Sequence, residues 1–127
     1  MYRHILIPTD GSEIAERGVA QGLALAKSVG AKVSVIYVVE PLLAVTGDFA
    51  SVLDRAANAA KEAGVSCDTI QVEDGQPHQA IIAAAKDKGC DLIVMSSHGR
   101  SGLSKLLIGS VTNKVLTLAE TPVLVCQ

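Results

Sequence analysis

The segment "KVSVIYVVE", residues 32–40, gives the clearest indication of how this chain folds. Its apolar residues follow one another almost without a break and most are β-branched, which is typical of a strand buried on both faces. Such a strand needs a covering layer on each side of its sheet, and helical patterns precede and follow it in the chain. The segment therefore predicts an α/β fold with a parallel sheet at its centre.

Strand and helix patterns alternate from this segment towards both ends of the chain. The predicted strands cover residues 5–7, 32–40, 67–73, 91–95 and 122–126, and the predicted helices cover 13–29, 49–63, 77–88 and 109–119. Because parallel neighbours need crossover connections, this series predicts a doubly wound open parallel sheet with helices on both faces. The alternating pattern of 67–73 favours a place near the sheet edge. No linker or repeat interrupts the series, so a single domain is expected over 1–127.

Composition and charge exclude several classes of protein. The net charge is −2, no basic run is present, and the aromatic residues are Tyr2, Tyr37 and Phe49, so no nucleic-acid partner is expected. No apolar segment approaches the roughly 20 residues of a membrane span, so no membrane partner is expected either. The chain enters a strand pattern directly, without a signal peptide, which favours the cytoplasm.

The cysteines and two of the histidines carry no recognisable chemistry. Cys67, Cys90 and Cys126 are odd in number and widely spaced, so a disulfide framework or zinc site is not expected and a reducing compartment fits best. All three are predicted to be buried, inert thiols. His4, just before the first strand, is expected at the surface or at a sheet edge, and His78 is expected to be structural.

Two loops that follow predicted strands have unusual polar content. One is "PTDGS", residues 8–12, and the other is "SSHGRSG", residues 96–102. In doubly wound sheets ligands bind beyond the carboxyl ends of the strands, where the strand order reverses. If the first and fourth strands are neighbours, both loops line one crevice. No P-loop motif, G-x-G-x-x-G motif or nucleophile elbow is present, so triad hydrolysis is not predicted.

The second loop has features of a phosphate site and also those of a plain connection. Gly99 and Gly109 would let backbone N–H groups approach a polyphosphate, and Gly109 with Ser110 opens a helix, whose first amides attract anions. The alternative is a turn at Gly99 and an N-cap at Ser110. Asp10 in the first loop also has a commoner use, as a turn or cap residue. Spacing alone leaves both readings open.

The chain resembles the universal stress protein family over all of its 127 residues. The resemblance is carried by "ILIPTDGSE" at 5–13, "TPVLVCQ" at 121–127 and above all "SSHGRSGLSKLLIGSV" at 96–111. The family's nucleotide motif is G-x2-G-x9-G-[ST]. Gly99 matches its second glycine, and Gly109 with Ser110 matches its end after a spacer of nine residues.

This chain departs from the motif at Ser96, which stands where the family has its first glycine. Because Ser96 follows a strand directly, an extended backbone is predicted there rather than a left-handed one. The small hydroxyl of Ser96 is expected to reach a phosphate oxygen in place of a lost amide contact. The nucleotide site is therefore expected to survive the replacement.

The resemblance implies an adenine-nucleotide site. Asp10 would lie by the ribose, and the Val38 backbone would contact adenine, with plain turn and core roles as the alternatives. Arg100 is the loop cation expected to pair with phosphates, against the alternative of a solvated charge. The expected site residues are Pro8, Thr9, Asp10, Val38, Ser96, Ser97, His98, Gly99, Arg100, Gly109 and Ser110.

The resemblance also implies a function and a mode of assembly. It implies a cytoplasmic stress-response protein that binds ATP, or an ADP or AMP derivative, and acts as a nucleotide-dependent switch with little or no hydrolysis. Any Mg²⁺ would be held mainly by phosphates and water. The alternative is a stress-response interaction module of the same Rossmann-like fold that binds no nucleotide. A strand order of 3-2-1-4-5 and a homodimer formed through the last strand are also implied.

Overall fold

The computed structural model describes residues 1–41, 48–98 and 108–127. Helices and strands alternate through it, and each lies within one residue of its predicted ends. The predicted loop between the second strand and the second helix falls largely outside the described residues. The elements are β1 (His4–Pro8), α1 (Glu13–Val29), β2 (Lys32–Val39), α2 (Phe49–Ala63), β3 (Cys67–Glu73), α3 (Pro77–Lys88), β4 (Leu92–Ser96), α4 (Ser110–Leu118) and β5 (Val123–Cys126).

The five strands form one parallel sheet in the order β3-β2-β1-β4-β5. The predicted doubly wound fold and its strand order are confirmed, and so is the position of β3 at an edge. The chain moves outward from β1 to β2 on one side and from β4 to β5 on the other. The central pair β1 and β4 therefore marks the point where the strand order reverses.

The core lies in two layers, one on each face of the sheet. Helices α1 and α2 cover one face, where Ile5, Ile7 and Val94 are fully buried beneath them. Helices α3 and α4 cover the other face, where Leu6 and Ile93 are fully buried. Successive residues of β1 thus point to opposite layers, which is why its short apolar run has no solvent-facing position.

His4 is not at the surface, and the prediction for it was wrong. Only 8% of it is exposed, and its Nε2 lies 2.7 Å from the Ser34 hydroxyl on β2. Ser34 in turn donates to the Asp68 carboxylate on β3, which also accepts from Lys88 Nζ at 2.6 Å. Because the hydroxyl has one hydrogen and gives it to Asp68, His4 donates to Ser34 through Nε2–H. These partners lie on three strands and at the end of α3, so the sequence pattern contains no sign of them.

We expect the burial of His4 to make the free energy of unfolding depend on pH near neutrality. Burial, with the nearby Lys32 charge, holds the pKa of His4 below its ordinary 6.5. The unfolded chain therefore binds more protons than the folded one as the pH falls through 6.5, so His4 lowers the free energy of unfolding in acid. Above pH 6.5, where His4 is uncharged in both the folded and the unfolded chain, it no longer lowers the free energy of unfolding.

Urea unfolding at a series of pH values from 5 to 7.5 checks this expectation. His4→Gln is the matched variant, since its amide can still donate to Ser34 but does not titrate. The rise in unfolding free energy with pH should be smaller in His4→Gln than in the parent. Identical slopes would show that His4 titrates alike in both states.

The thiols are mostly as expected. Cys90 and Cys126 are buried, and burial raises the pKa of Cys90 to about 11, so its reactive thiolate is scarce at neutral pH. Cys67 is only half-buried, and the prediction for it was wrong, because it opens the edge strand β3.

No helix within the described ranges has the length and apolar character to cross a membrane.

Candidate functional site

A crevice of about 420 Å³ opens at the carboxyl ends of the strands, where β1 and β4 part. The lining contains eight of the expected site residues, namely Pro8, Thr9, Asp10, Val38, Ser96, His98, Gly109 and Ser110. Ser97 is buried directly beside them without lining the crevice. Gly99 and Arg100 lie outside the described residues. The fold therefore brings together segments that are about a hundred residues apart in the chain.

The loop after β1 forms one wall of the crevice, and its side chains hold their own backbone. The Ser12 N–H donates to Asp10 Oδ1 at 2.9 Å, and the Gly11 N–H donates to Thr9 Oγ1 at 3.2 Å. Gly11 has a φ of 80°, which glycine adopts without strain. Ser12 then caps α1 by accepting from the Ala15 N–H at 3.2 Å. Asp10 thus has the turn role that the sequence allowed, while it also lines the crevice.

The opposite wall is formed where β4 ends and α4 begins. The Gly109 N–H donates to the Ser97 carbonyl at 2.7 Å, and Thr112 Oγ1 donates to the Ser96 carbonyl at 2.8 Å. Ser97 Oγ and His98 Nδ1 are 2.8 Å apart. These contacts fix the start of α4 against the last residues of β4.

The first turn of α4 presents backbone N–H groups at the crevice. Gly109, not Ser110, is the N-cap, and it supplies no side-chain cap. The first i→i−4 hydrogen bond of the helix runs from the Asn113 N–H to the Gly109 carbonyl. The amides of residues 110–112 therefore have no intrahelical partner. A side chain at Gly109 would place its Cβ 3.2 Å from the Cα of His98. Glycine is therefore favoured here by the limited space rather than by its backbone angles, since its φ is −61°.

Ser96 has the predicted extended backbone, and its hydroxyl bonds within the chain. It is the last residue of β4, and no described residue other than glycine has a positive φ. Its hydroxyl donates to the His98 carbonyl at 2.8 Å. A contact between this hydroxyl and a phosphate oxygen stays a prediction, and it would require the hydroxyl to give up its bond to the His98 carbonyl, since it has a single hydrogen.

The end of β2 offers peptide groups to the crevice. The β1–β2 ladder closes with a bond of 2.9 Å from the Thr9 N–H to the Ile36 carbonyl. In a parallel strand every second residue directs both its N–H and its C=O to the same neighbour. On β2, Ile36 directs its peptide groups towards β1, and Val38, two residues later, is the next residue to do so. Val38 lies beyond the end of β1. Its N–H and C=O therefore face the crevice that Val38 lines.

The apolar part of the lining was missed from the sequence. It includes Ile36, Phe49, Pro77, Ile81, Met95 and Val111. Pro77 and Ile81 belong to α3, which packs against β2 and so reaches the crevice. The sequence predicted a helix over 77–88, but no sequence signal showed which strand Ile81 meets.

The charges near the crevice are mostly carboxylates in the described part of the chain. Asp10 and Glu40 line it, while no lysine or arginine of residues 1–41, 48–98 or 108–127 does so. Within these ranges, attraction for an anion must come from the α4 amides and the positive end of the helix dipole. The walls combine an apolar slot, exposed peptide groups of a strand and the start of a helix.

A doubly wound sheet with such a crevice at its switch point belongs to the α/β class that takes ligands beyond the strand ends. The chain belongs to the universal stress protein family, whose family model matches residues 1–127.

Individual relatives agree with this assignment. The universal stress protein MJ0531 of Methanocaldococcus jannaschii is 34% identical over 142 aligned residues, covering 100% of this chain and 83% of that protein. The universal stress protein YxiE of Bacillus subtilis is 30% identical over 149 residues, with 100% of both chains covered. A universal stress protein solved in complex with cAMP superposes with a TM-score of 0.82 at 28% identity, covering 99% of this chain and 97% of its own.

Proposed function

We propose that this protein binds ATP or a related adenine nucleotide in the crevice and acts in stress response as a nucleotide-dependent switch with little or no hydrolysis. The observation that carries the proposal is that one crevice contains both the outward-facing peptide of Val38 and the first turn of α4. A nucleotide must be recognised at its base and at its phosphates. The Val38 peptide is suited to bind the base, and the first turn of α4 is suited to bind the phosphates.

The strand peptide is suited to adenine. The Val38 C=O can accept from the adenine amino group, and its N–H can donate to the adjacent ring nitrogen. The apolar side chains around it, such as Ile81 and Met95, would cover the faces of the base. Guanine has the opposite donor and acceptor arrangement on that edge, so it would leave both peptide groups badly matched.

The helix start is suited to phosphate. The amides of residues 110–112 lack intrahelical partners, Ser110 is exposed at the crevice, and Gly109 keeps the approach open. Asp10 would accept from ribose hydroxyls between the two ends. The solved family member in complex with cAMP supports a ligand with an adenine base and a phosphate group.

Mg²⁺ would enter such a site together with the phosphates. In the part of the chain that the structure describes, no three His, Cys, Asp or Glu side chains converge as a metal site. The ion would therefore be held mainly by phosphate oxygens and water.

Ultraviolet absorption and calorimetry test the proposal. Because the chain has no Trp and two Tyr, a co-purified adenine nucleotide should dominate the spectrum near 260 nm. After the nucleotide is removed, ATP, ADP, AMP and cAMP are titrated with Mg²⁺ present, and GTP is the control for the base. We expect at least one adenine nucleotide to bind, and GTP to bind at least about tenfold more weakly than ATP. No binding by any of them would favour the interaction module that binds no nucleotide.

Replacing Ser96 by glycine, the family residue, should change ATP affinity by less than about tenfold, or ~1.4 kcal/mol. The extended backbone of Ser96 does not require glycine, and the substitution removes one hydrogen bond, to the His98 carbonyl. Titrating ATP into both proteins at one salt concentration measures the difference. A parent that does not bind, with binding restored by Ser96→Gly, would show that serine closes the site.

We further propose that two copies of the chain pair through β5 as a homodimer. β5 is an edge strand of four apolar residues, and 45% of Leu124 is exposed. The carbonyls of Pro122 and Cys126 accept hydrogen bonds from β4. Because successive residues of a strand direct their peptide groups to opposite sides, those of Val123 and Val125 face away from the sheet. The other edge strand, β3, carries Asp68 and Glu73, which are charges that discourage pairing.

A further inference from the structure

Thr112 makes a contact across the crevice wall that the nucleotide motif does not include. The motif ends at Gly109 and Ser110, and Thr112 is the third residue of α4. Only 3% of Thr112 is exposed, yet it lines the crevice, and its Oγ1 donates to the Ser96 carbonyl at 2.8 Å. The side chain thus joins the first turn of a helix to the last residue of a strand.

The Ser96 carbonyl has a reason to need this partner. The pairing of β1 with β4 ends at Leu6 and Ile93, so the Ser96 peptide lies beyond the part of β4 that is paired with β1. Ser96 is also buried, and a buried carbonyl that loses its partner is costly. The Thr112 hydroxyl therefore takes the place that a neighbouring strand would have filled.

A second bond acts beside the first one. The Gly109 N–H donates to the Ser97 carbonyl at 2.7 Å. Two consecutive carbonyls of the β4 end thus hold α4 at two points, its N-cap and its third residue. One bond would leave the helix free to swing about it, whereas two bonds also fix the direction of the first turn.

We infer that Thr112 is the positioning residue of the phosphate end of the site. By holding the Ser96 carbonyl it directs the first-turn amides of α4 into the crevice and keeps that carbonyl oxygen away from a bound anion. The inference rests on the proposed nucleotide-binding function. The Thr112 side chain acts through the helix backbone, since its hydroxyl hydrogen is used on the Ser96 carbonyl. The adenine end, at Val38, does not depend on it.

Calorimetry with AMP and adenosine separates this role from a general structural one. Thr112→Val keeps the shape of the side chain and removes the hydroxyl, while Thr112→Ser keeps the hydroxyl. We expect Thr112→Val to bind AMP about tenfold more weakly than the parent, and adenosine within about twofold. Thr112→Ser should bind AMP within about threefold of the parent. Should Thr112→Val not fold, Thr112→Cys, with a weak donor of similar size, replaces it in the same comparison.

Several outcomes would overturn the inference. Unchanged AMP affinity in Thr112→Val would do so, and so would an equal loss for AMP and adenosine, which indicates a structural role alone. If the parent binds neither compound, the proposed function fails instead. In that case amide hydrogen exchange at residues 110–112 tests whether Thr112 positions the first turn of α4. If its hydroxyl fixes that turn, Thr112→Val should speed exchange there. Unchanged exchange would contradict the inference.

Discussion

Replacing Gly109 by Asp is expected to abolish nucleotide binding, with a loss of at least about a hundredfold in ATP affinity, or ~2.7 kcal/mol. Two effects act together. The carboxylate would sit at the N-cap and accept from the free first-turn amides, so it would occupy the place of the phosphate. Its Cβ would also lie 3.2 Å from the His98 Cα, which crowds the wall of the crevice. The fold should survive, because Asp is a favourable N-cap residue.

Three further measurements separate these effects. Gly109→Asn has nearly the same shape without the charge, so the difference between the Asn and Asp variants measures the electrostatic part. Gly109→Ala adds the Cβ alone. Adenosine should bind the Asp variant nearly as well as the parent, since it has no phosphate. Calorimetry showing that Gly109→Asp binds ATP as tightly as the parent would mean that the anion site has been misplaced.

Replacing Leu124 by Asp is expected to convert the proposed homodimer to a monomer at micromolar concentration. In a two-fold pairing of β5 strands the new carboxylates would approach one another, and the exposed apolar surface that Leu124 offers would be lost. Val123→Pro should have the same result by another route, because it removes an N–H on the unpaired side of β5 and leaves the β4 ladder in place.

Light scattering coupled to size-exclusion chromatography measures the assembly. Thr69→Asp is the matched control, since it adds the same charge to an exposed position of the other edge strand, β3. We expect Thr69→Asp to remain dimeric. A monomeric parent would contradict the assembly itself. A dimer that persists in both Leu124→Asp and Val123→Pro would place the interface elsewhere.

The order and limits of the helices and strands could be predicted from the sequence because their causes are local. The dense β-branched run of β2 required cover on both faces. Glycines at 30, 64 and 89 directly follow three of the predicted helices, and all three adopt the positive φ angles that end a helix. The extended backbone of Ser96 was predictable for the same reason, since it follows a strand without a break. The two ends of the loop motif, at Ser96 and at Gly109 with Ser110, do line the crevice, and their role in binding stays a prediction.

Contacts between distant segments could not be predicted, because their partners are set by the arrangement of strands. His4 meets Ser34 on β2, and the Thr112 hydroxyl meets the Ser96 carbonyl 16 residues away. The outward direction of the Val38 peptide depends on where β1 stops pairing with β2, which is a property of two strands and not of one. Local patterns determine where the backbone turns and which face is apolar. The hydrogen-bond partners of a buried polar group are determined only when the sheet is assembled, because burial then leaves each donor a small choice of acceptors.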